Sequence, residues 1–302
     1  MLHSTRYAGF TDWTLPAGKR VKAQQRGTMT IYETLSYGFM QRALLAGTLI
    51  GVLCAVLGCF LVLRRLSLIG DGLAHVTFGS VAIALFLKLY SAAAIMVSLP
   101  IVMLCSLGIF RLSERGRLSG DTAIGIVSSL GIAVGVLLAS LGGGFNVDLF
   151  SYLFGNILAI SKGEVLLAVT LCGVVLVLVT FFYHDLMAVT FNEELARVSG
   201  VSNRGISAML VLLTALTVVL AMKVVGIMLI SAMLILPSSS ALQLAKGFRA
   251  ALVLAAALAV VAVVVGIFVS VALNLPAGAT IVLLNFGIFA LVYSVKRLTS
   301  KD

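Results

Sequence analysis

Charge is what this sequence has least of. Only 11% of its 302 residues are Asp, Glu, Lys or Arg, against about 25% in a typical soluble domain. With 61% of the chain hydrophobic, too little polar surface remains to clothe a sizeable water-soluble domain. The chain therefore reads as an all-α polytopic membrane protein. Its four cysteines (Cys54, Cys59, Cys105 and Cys172) lie inside apolar runs without paired spacing, which excludes a disulfide framework and leaves buried thiols. No GxxxxGK[ST] phosphate loop is present, so the chain does not itself hydrolyse nucleotide by the common route. Neither HExxH nor GxSxG occurs, which argues against zinc-dependent or serine hydrolysis inside the membrane. Ile69-Gly70-Asp71 echoes the Gly-Asp of intramembrane aspartyl proteases, and Asp121 could supply a second carboxylate. Asp121, however, directly follows an arginine-rich loop and is expected to cap the fourth span. A non-enzymatic role is expected. The net charge of +10 is not a nucleic-acid signal, because the basic residues fall in short clusters between apolar runs.

What is there is a series of apolar runs of spanning length, at about residues 38–63, 68–88, 92–110, 122–141, 164–183, 205–222, 225–244, 250–272 and 278–295. Nine crossings are expected. The sixth and seventh runs are separated only by Met222-Lys223-Val224, and one long broken helix there would reduce the number to eight. The loops on the Arg64-Arg65 side carry most of the lysine and arginine, while the opposite loops carry Lys88, Lys162 and Lys223. By the positive-inside rule the Arg64 side and the C-terminus are cytoplasmic, and the N-terminus is outside. Arg6, Lys19, Arg20, Lys22 and Arg26 would then violate the rule. Residues 1–28 also lack an apolar core, so we expect translation to start at Met29 and residues 29–302 to form a single transmembrane domain. Pro237 interrupts the seventh run, with Ser238, Ser239 and Ser240 beside it to satisfy freed backbone groups. Gly47 with Gly51, and Gly131 with Gly135, are small-xxx-small pairs that permit close helix approach without saying which helices meet.

The second run holds the chemistry. In Arg64–Ser80, RRLSLIGDGLAHVTFGS, Asp71 and His75 are spaced i, i+4, so on a helix they project from one face. Continuous helical rise puts Asp71 roughly 9 Å and His75 about 15 Å beyond Arg65, near the middle of the bilayer if the arginines mark its surface. Ionisable residues there are costly unless they face a cavity or a partner. Carboxylate with imidazole is a donor pair that a divalent ion such as zinc or manganese accepts. The alternative is an internal Asp–His hydrogen bond that helps pack helices.

Two loops add information. Residues 142–156, GGGFNVDLFSYLFGN, are too short to span and too apolar for a free loop; a surface-lying or re-entrant helix fits, with Asp148 at its start. In residues 184–205, Asn192 can cap a two-turn helix with Glu193 and Glu194 in its first turn and Gly200 at its end. Leu195 and Val198 give it a small apolar face, suited either to the bilayer surface or to a cytoplasmic partner.

These stretches together resemble a known family. LRRLSLIGDGLAHVTFGSVAIAL is similar to the second-span signature of ABC-type permeases that import zinc, manganese or iron. VDLFSYLFGNILAI resembles their extracellular segment, and EELARVSGV their ATPase-coupling helix. TALTVVLAMKVVGIMLISAMLILPSSSALQLA and LPAGATIVLL resemble the C-terminal half. The likeness runs from about residue 35 to 296. It implies a homodimeric permease in a bacterial inner or plasma membrane, two cytoplasmic ATP-binding subunits and an extracytoplasmic metal-binding protein. The family's GD-x3-H pattern maps onto Asp71 and His75 as the metal site. Glu193, Glu194, Leu195, Val198 and Gly200 would serve ATPase coupling, and Asp148, Tyr152 and Phe154 are candidates for an extracellular gate. No tightly bound cofactor is implied; the metal is cargo. Ala74 before His75 leans toward the zinc members, with manganese or iron as the alternative. A stand-alone ion-coupled carrier would show paired broken helices in inverted repeats, and no polar counterpart to Asp71 and His75 stands out in the C-terminal half. In a permease for iron chelates or cobalamin a wide pore replaces ligands, which the Asp–His pair argues against.

Overall fold

The structure is a computed structural model and describes residues 38–89, 92–115, 119–142, 152–155, 161–222 and 225–299. Its helices are α1 (Gly38–Leu63), α2 (Ile69–Phe86), α3 (Ala92–Arg115), α4 (Gly120–Leu141), α5 (Lys162–Phe181), α6 (Tyr183–Phe191), α7 (Glu193–Val198) and α8 (Asn203–Ala221). A 3-10 turn (Ile227–Leu229) leads into α9 (Ile230–Leu244), α10 (Phe248–Leu273) and α11 (Ala277–Thr299). The chain divides into two units, residues 1–41, of which 38–41 are described, and residues 42–302; residues 1–28 lie outside the described residues.

Among the described residues nine helices are long and apolar enough to cross a membrane, at nearly the expected positions. The sixth and seventh spans are separate. α8 ends at Ala221, and Gly226, at φ +92°, precedes the 3-10 turn that starts the next span. Such a φ is open to glycine and strained for other residues, so a continuous helix does not form there. Two expectations need correction. The cap of α4 is Ser119, whose Oγ accepts from the Thr122 amide at 3.2 Å, while Asp121 sits in the first turn, where its charge favours the helix dipole. Part of the expected 184–205 loop is helical, because α6 continues the fifth span for nine residues beyond a break at Phe182.

Without water to drive helices together, close packing and hydrogen bonds must do so. α1 and α2 are the most enclosed spans, with 67% and 72% of their apolar windows buried, whereas α4 and α11 bury only 17% and 22%. The enclosed pair is therefore the structural interior, and α4 and α11 leave broad apolar faces for lipid or another subunit. Gly51 brings α1 against Val263 and Ala259 of α10, and Gly58 brings it against Leu234 and Ser238 of α9. Ser238 Oγ donates to Leu234 O at 2.8 Å and to Ala55 O at 2.9 Å, so a serine beside Pro237 both serves its own helix and ties α9 to α1. Among the described residues the four cysteines are free thiols.

Candidate metal-transit site

α2 rests on α4 through glycines. A Cβ on Gly131 would lie 2.7 Å from the His75 carbonyl oxygen and 2.8 Å from Val76 backbone atoms, and one on Gly79 would lie 2.6 Å from the Gly131 carbonyl. The second small-xxx-small pair thus meets α2 at the level of His75. On the side of α2 facing α9, Gly70 lies against Leu234 and the Ser231 backbone.

This packing sets the site. Asp71 is in the first turn of α2 and His75 one turn further on. His75 Nε2 stands 3.5 Å from Asp71 Oδ2, longer than an ordinary hydrogen bond. Adjacent donor atoms around one ion with bonds of about 2.1 Å are about 3.0–3.5 Å apart. The spacing is that of an i, i+4 ion pair and also falls at the upper end of the range for two ligands of one cation. The Asp71 side chain is 54% exposed and that of His75 22%, so the carboxylate faces open space within this single chain. Ser231 Oγ, from the first turn of α9, donates to the other oxygen, Asp71 Oδ1, at 3.2 Å. Among the described residues no cluster of three or more His, Cys, Asp or Glu side chains could hold a metal. Among the described residues the site thus brings together a carboxylate, an imidazole and a hydroxyl that donates to the carboxylate.

The depth of the pair needs a different ruler from the one the sequence suggested. α1 stops at Leu63 and a turn intervenes, so helical rise from Arg65 does not apply. Along α9, Ser231 is thirteen residues from Leu244, or about 20 Å. α2 therefore begins beside the N-terminal turn of α9, about 20 Å along that helix from its C-terminal end.

The coupling candidates lie on α7. Asn192 Oδ1 accepts from the Leu195 amide at 3.0 Å, and Glu193 and Glu194 occupy the first turn. Ala196 is buried while Leu195 and Val198 are 64% and 86% exposed, so α7 turns an apolar edge outward. Gly200 ends the helix at φ +83°, with Val201 N donating to Ala196 O at 3.0 Å; its Cβ position is open, so backbone angle and not crowding demands the glycine. Glu193 holds its carboxylate 2.7 Å from Arg64 Nη2 while its side chain stays 61% exposed. Of the gate candidates, Tyr152 is buried and Phe154 half exposed, on a helical turn whose backbone packs against Gly226 and Gly278; Asp148 lies outside the described residues. Sequence reasoning missed Ser231 and the Arg64–Glu193 pair. Nothing in SAMLIL distinguishes Ser231 from other intramembrane serines, and residues 64 and 193 are 129 positions apart.

A bundle of apolar helices around an acid–imidazole pair defines a polytopic membrane protein with a candidate ion path. The profile of the ABC 3 transport family matches residues 36–296, and the chain belongs to that family as a membrane permease. It is 35% identical over 262 residues to the manganese transport system membrane protein MntC of Halalkalibacterium halodurans, covering 86% of this chain and 88% of that one. It is likewise 35% identical over 268 residues to the chelated iron transport system membrane protein YfeD of Yersinia pestis, covering 87% and 88%. Among solved structures, PsaBC from Streptococcus pneumoniae in complex with Fab superposes with a TM-score of 0.78 at 31% identity, over 87% of this chain and 94% of that one.

Proposed function

We propose that this permease moves a divalent first-row metal ion into the cytoplasm along a path on which Asp71 and His75 are the transit ligands. The observation that carries the reading is their 3.5 Å spacing on one face of α2, with the Asp71 carboxylate open to the outside of the single chain. The orientation is that of the positive-inside rule, with the C-terminus cytoplasmic. Two copies would place their Asp71 faces toward a shared path, each completing the ion's shell with water. ATP hydrolysis would fall to two separate subunits docked on the exposed Leu195–Val198 edge of α7, and an extracytoplasmic binding protein would deliver the ion.

Manganese is the first ion to test. Relatives named for manganese and iron support it, and so does the donor set, because carboxylate and hydroxyl oxygens around one imidazole suit manganese. Zinc is the second reading, carried by Ala74 in the GDGLAH sequence. The test is uptake of labelled manganese and zinc in cells lacking other importers of each ion. Asp71→Asn keeps size and hydrogen bonding but removes the charge that offsets the cation's lost hydration. It should abolish uptake while leaving insertion and subunit assembly intact, and His75→Ala should do the same. A folded Asp71→Asn permease that imports metal at the native rate refutes the transit role.

A further inference from the structure

We propose that Arg64 is a positioning residue that links movement of α7 to the transit helix α2; the proposal rests on reading α7 as the docking site for the ATP-binding subunits. The Arg64 side chain is only 10% exposed, although it carries a charge in a chain with few. Its Nη2 donates to Glu193 Oε1 at 2.7 Å and to Ser207 Oγ at 2.9 Å, so one guanidinium joins the end of α1 to α7 and to the first turns of α8. Closing the α1–α2 turn does not require that side chain. The backbone closes the turn itself, with Leu66 N donating to Leu61 O at 2.9 Å and Arg65 N to Val62 O at 3.2 Å, around Arg65 at φ +58°.

The connection onward to the ligands has little slack. Ile69 N donates to Leu66 O at 3.1 Å and Gly72 N to Leu68 O at 3.0 Å, so the turn runs without a free hinge into the helical turn that holds Asp71. At the other end, Glu193 is the first residue of α7, and its carbonyl oxygen accepts from Asn203 Nδ2 of α8. A push on Leu195 or Val198 moves a six-residue helix whose leading carboxylate grips Arg64, and Arg64 lies seven positions before Asp71. The non-glycine residue at positive φ adds to the rigidity, since Arg65 has fewer alternative conformations than a glycine would. The geometry assigns the Arg64–Glu193 pair the task of shifting the Asp71–His75 pair when α7 moves.

The test reconstitutes the permease with its ATP-binding subunits in proteoliposomes and measures manganese(II) uptake and phosphate release together. Arg64→Gln and Glu193→Gln, in complexes that retain the ATP-binding subunits, should each lower the metal moved per ATP hydrolysed by about tenfold or more, because each breaks the Arg64–Glu193 ion pair. The exchange Arg64→Glu with Glu193→Arg should recover the ratio to within about threefold of native, as expected for two directly coupled residues. If Arg64→Gln fails to insert, Glu193→Gln carries the test alone, since that carboxylate is largely exposed. A native ratio in the single variants overturns the proposal, as does an exchange no better than the worse single variant. Loss of the ATP-binding subunits from Glu193→Gln complexes overturns it as well, because the carboxylate would then serve docking. The docking reading fails separately, and distinguishably, if Val198→Asp complexes keep their ATP-binding subunits.

Discussion

Replacing Gly131 by alanine tests whether the transit pair is held in place by the contact between α2 and α4. The added methyl would sit 2.7 Å from the His75 carbonyl oxygen and 2.8 Å from Val76 N and Cα. All three are backbone atoms, so no rotamer change relieves the overlap. Reaching ordinary contact at 3.4 Å requires the helices to part by roughly 0.7 Å. A gap of that size forfeits about a quarter to a half of the dispersion attraction of each pair it separates, and overpacking of this kind costs about 1–3 kcal/mol. Because that attraction is a main force between helices in lipid, thermal stability in detergent should fall and manganese uptake should drop about tenfold or more. Gly125→Ala is the control on the same helix, since a Cβ there meets nothing within 4 Å. Both variants gain the same helix propensity, about 1 kcal/mol, so their difference isolates the clash. Size-exclusion profiles of heated samples, with uptake at saturating metal, give the two readouts. If Gly131→Ala matches Gly125→Ala in both, the α2–α4 contact does not hold the site.

Ser231→Ala removes the hydrogen bond to Asp71 Oδ1, worth about 0.5–1.5 kcal/mol, and should raise the half-saturating metal concentration about two- to tenfold with little change in maximal rate. Uptake kinetics unchanged by this substitution would remove Ser231 from the site. Gly200→Val places a β-branched residue at φ +83° at a cost of about 1–2 kcal/mol or more, without a steric clash elsewhere. The spans should still form while α7 loses its C-terminal cap, so co-purification of the ATP-binding subunits should be lost; retention of a native complex would show that the end of α7 does not matter to docking.

Much of this protein was legible in its residues because membrane spans obey a local rule. With no water in the bilayer core, each span must be a helix satisfying its own backbone, and apolar run length therefore located, to within a few residues, the nine long apolar helices found among the described residues. Local rules also foresaw α7, since a capping asparagine, two first-turn glutamates and a glycine at positive φ lie within nine residues of one another. The i, i+4 spacing of Asp71 and His75 put them on one face for the same reason.

Tertiary structure decided what depends on residues far apart in the chain. Gly131 and Gly135 announced a close contact, but only the fold selected α2 as the helix that meets them, beside His75 and Phe78. Ser231 reaches Asp71 across 160 positions, and Glu193 reaches Arg64 across 129. The level of the site along α9 was likewise set by packing, because Arg65 closes α1 in a turn and α2 starts beside the first turn of α9. Hydropathy and helical period are properties of neighbours in sequence. A hydroxyl that steadies a carboxylate, or a carboxylate that holds a buried guanidinium, has no local signature, and its role exists only once the helices have chosen their partners.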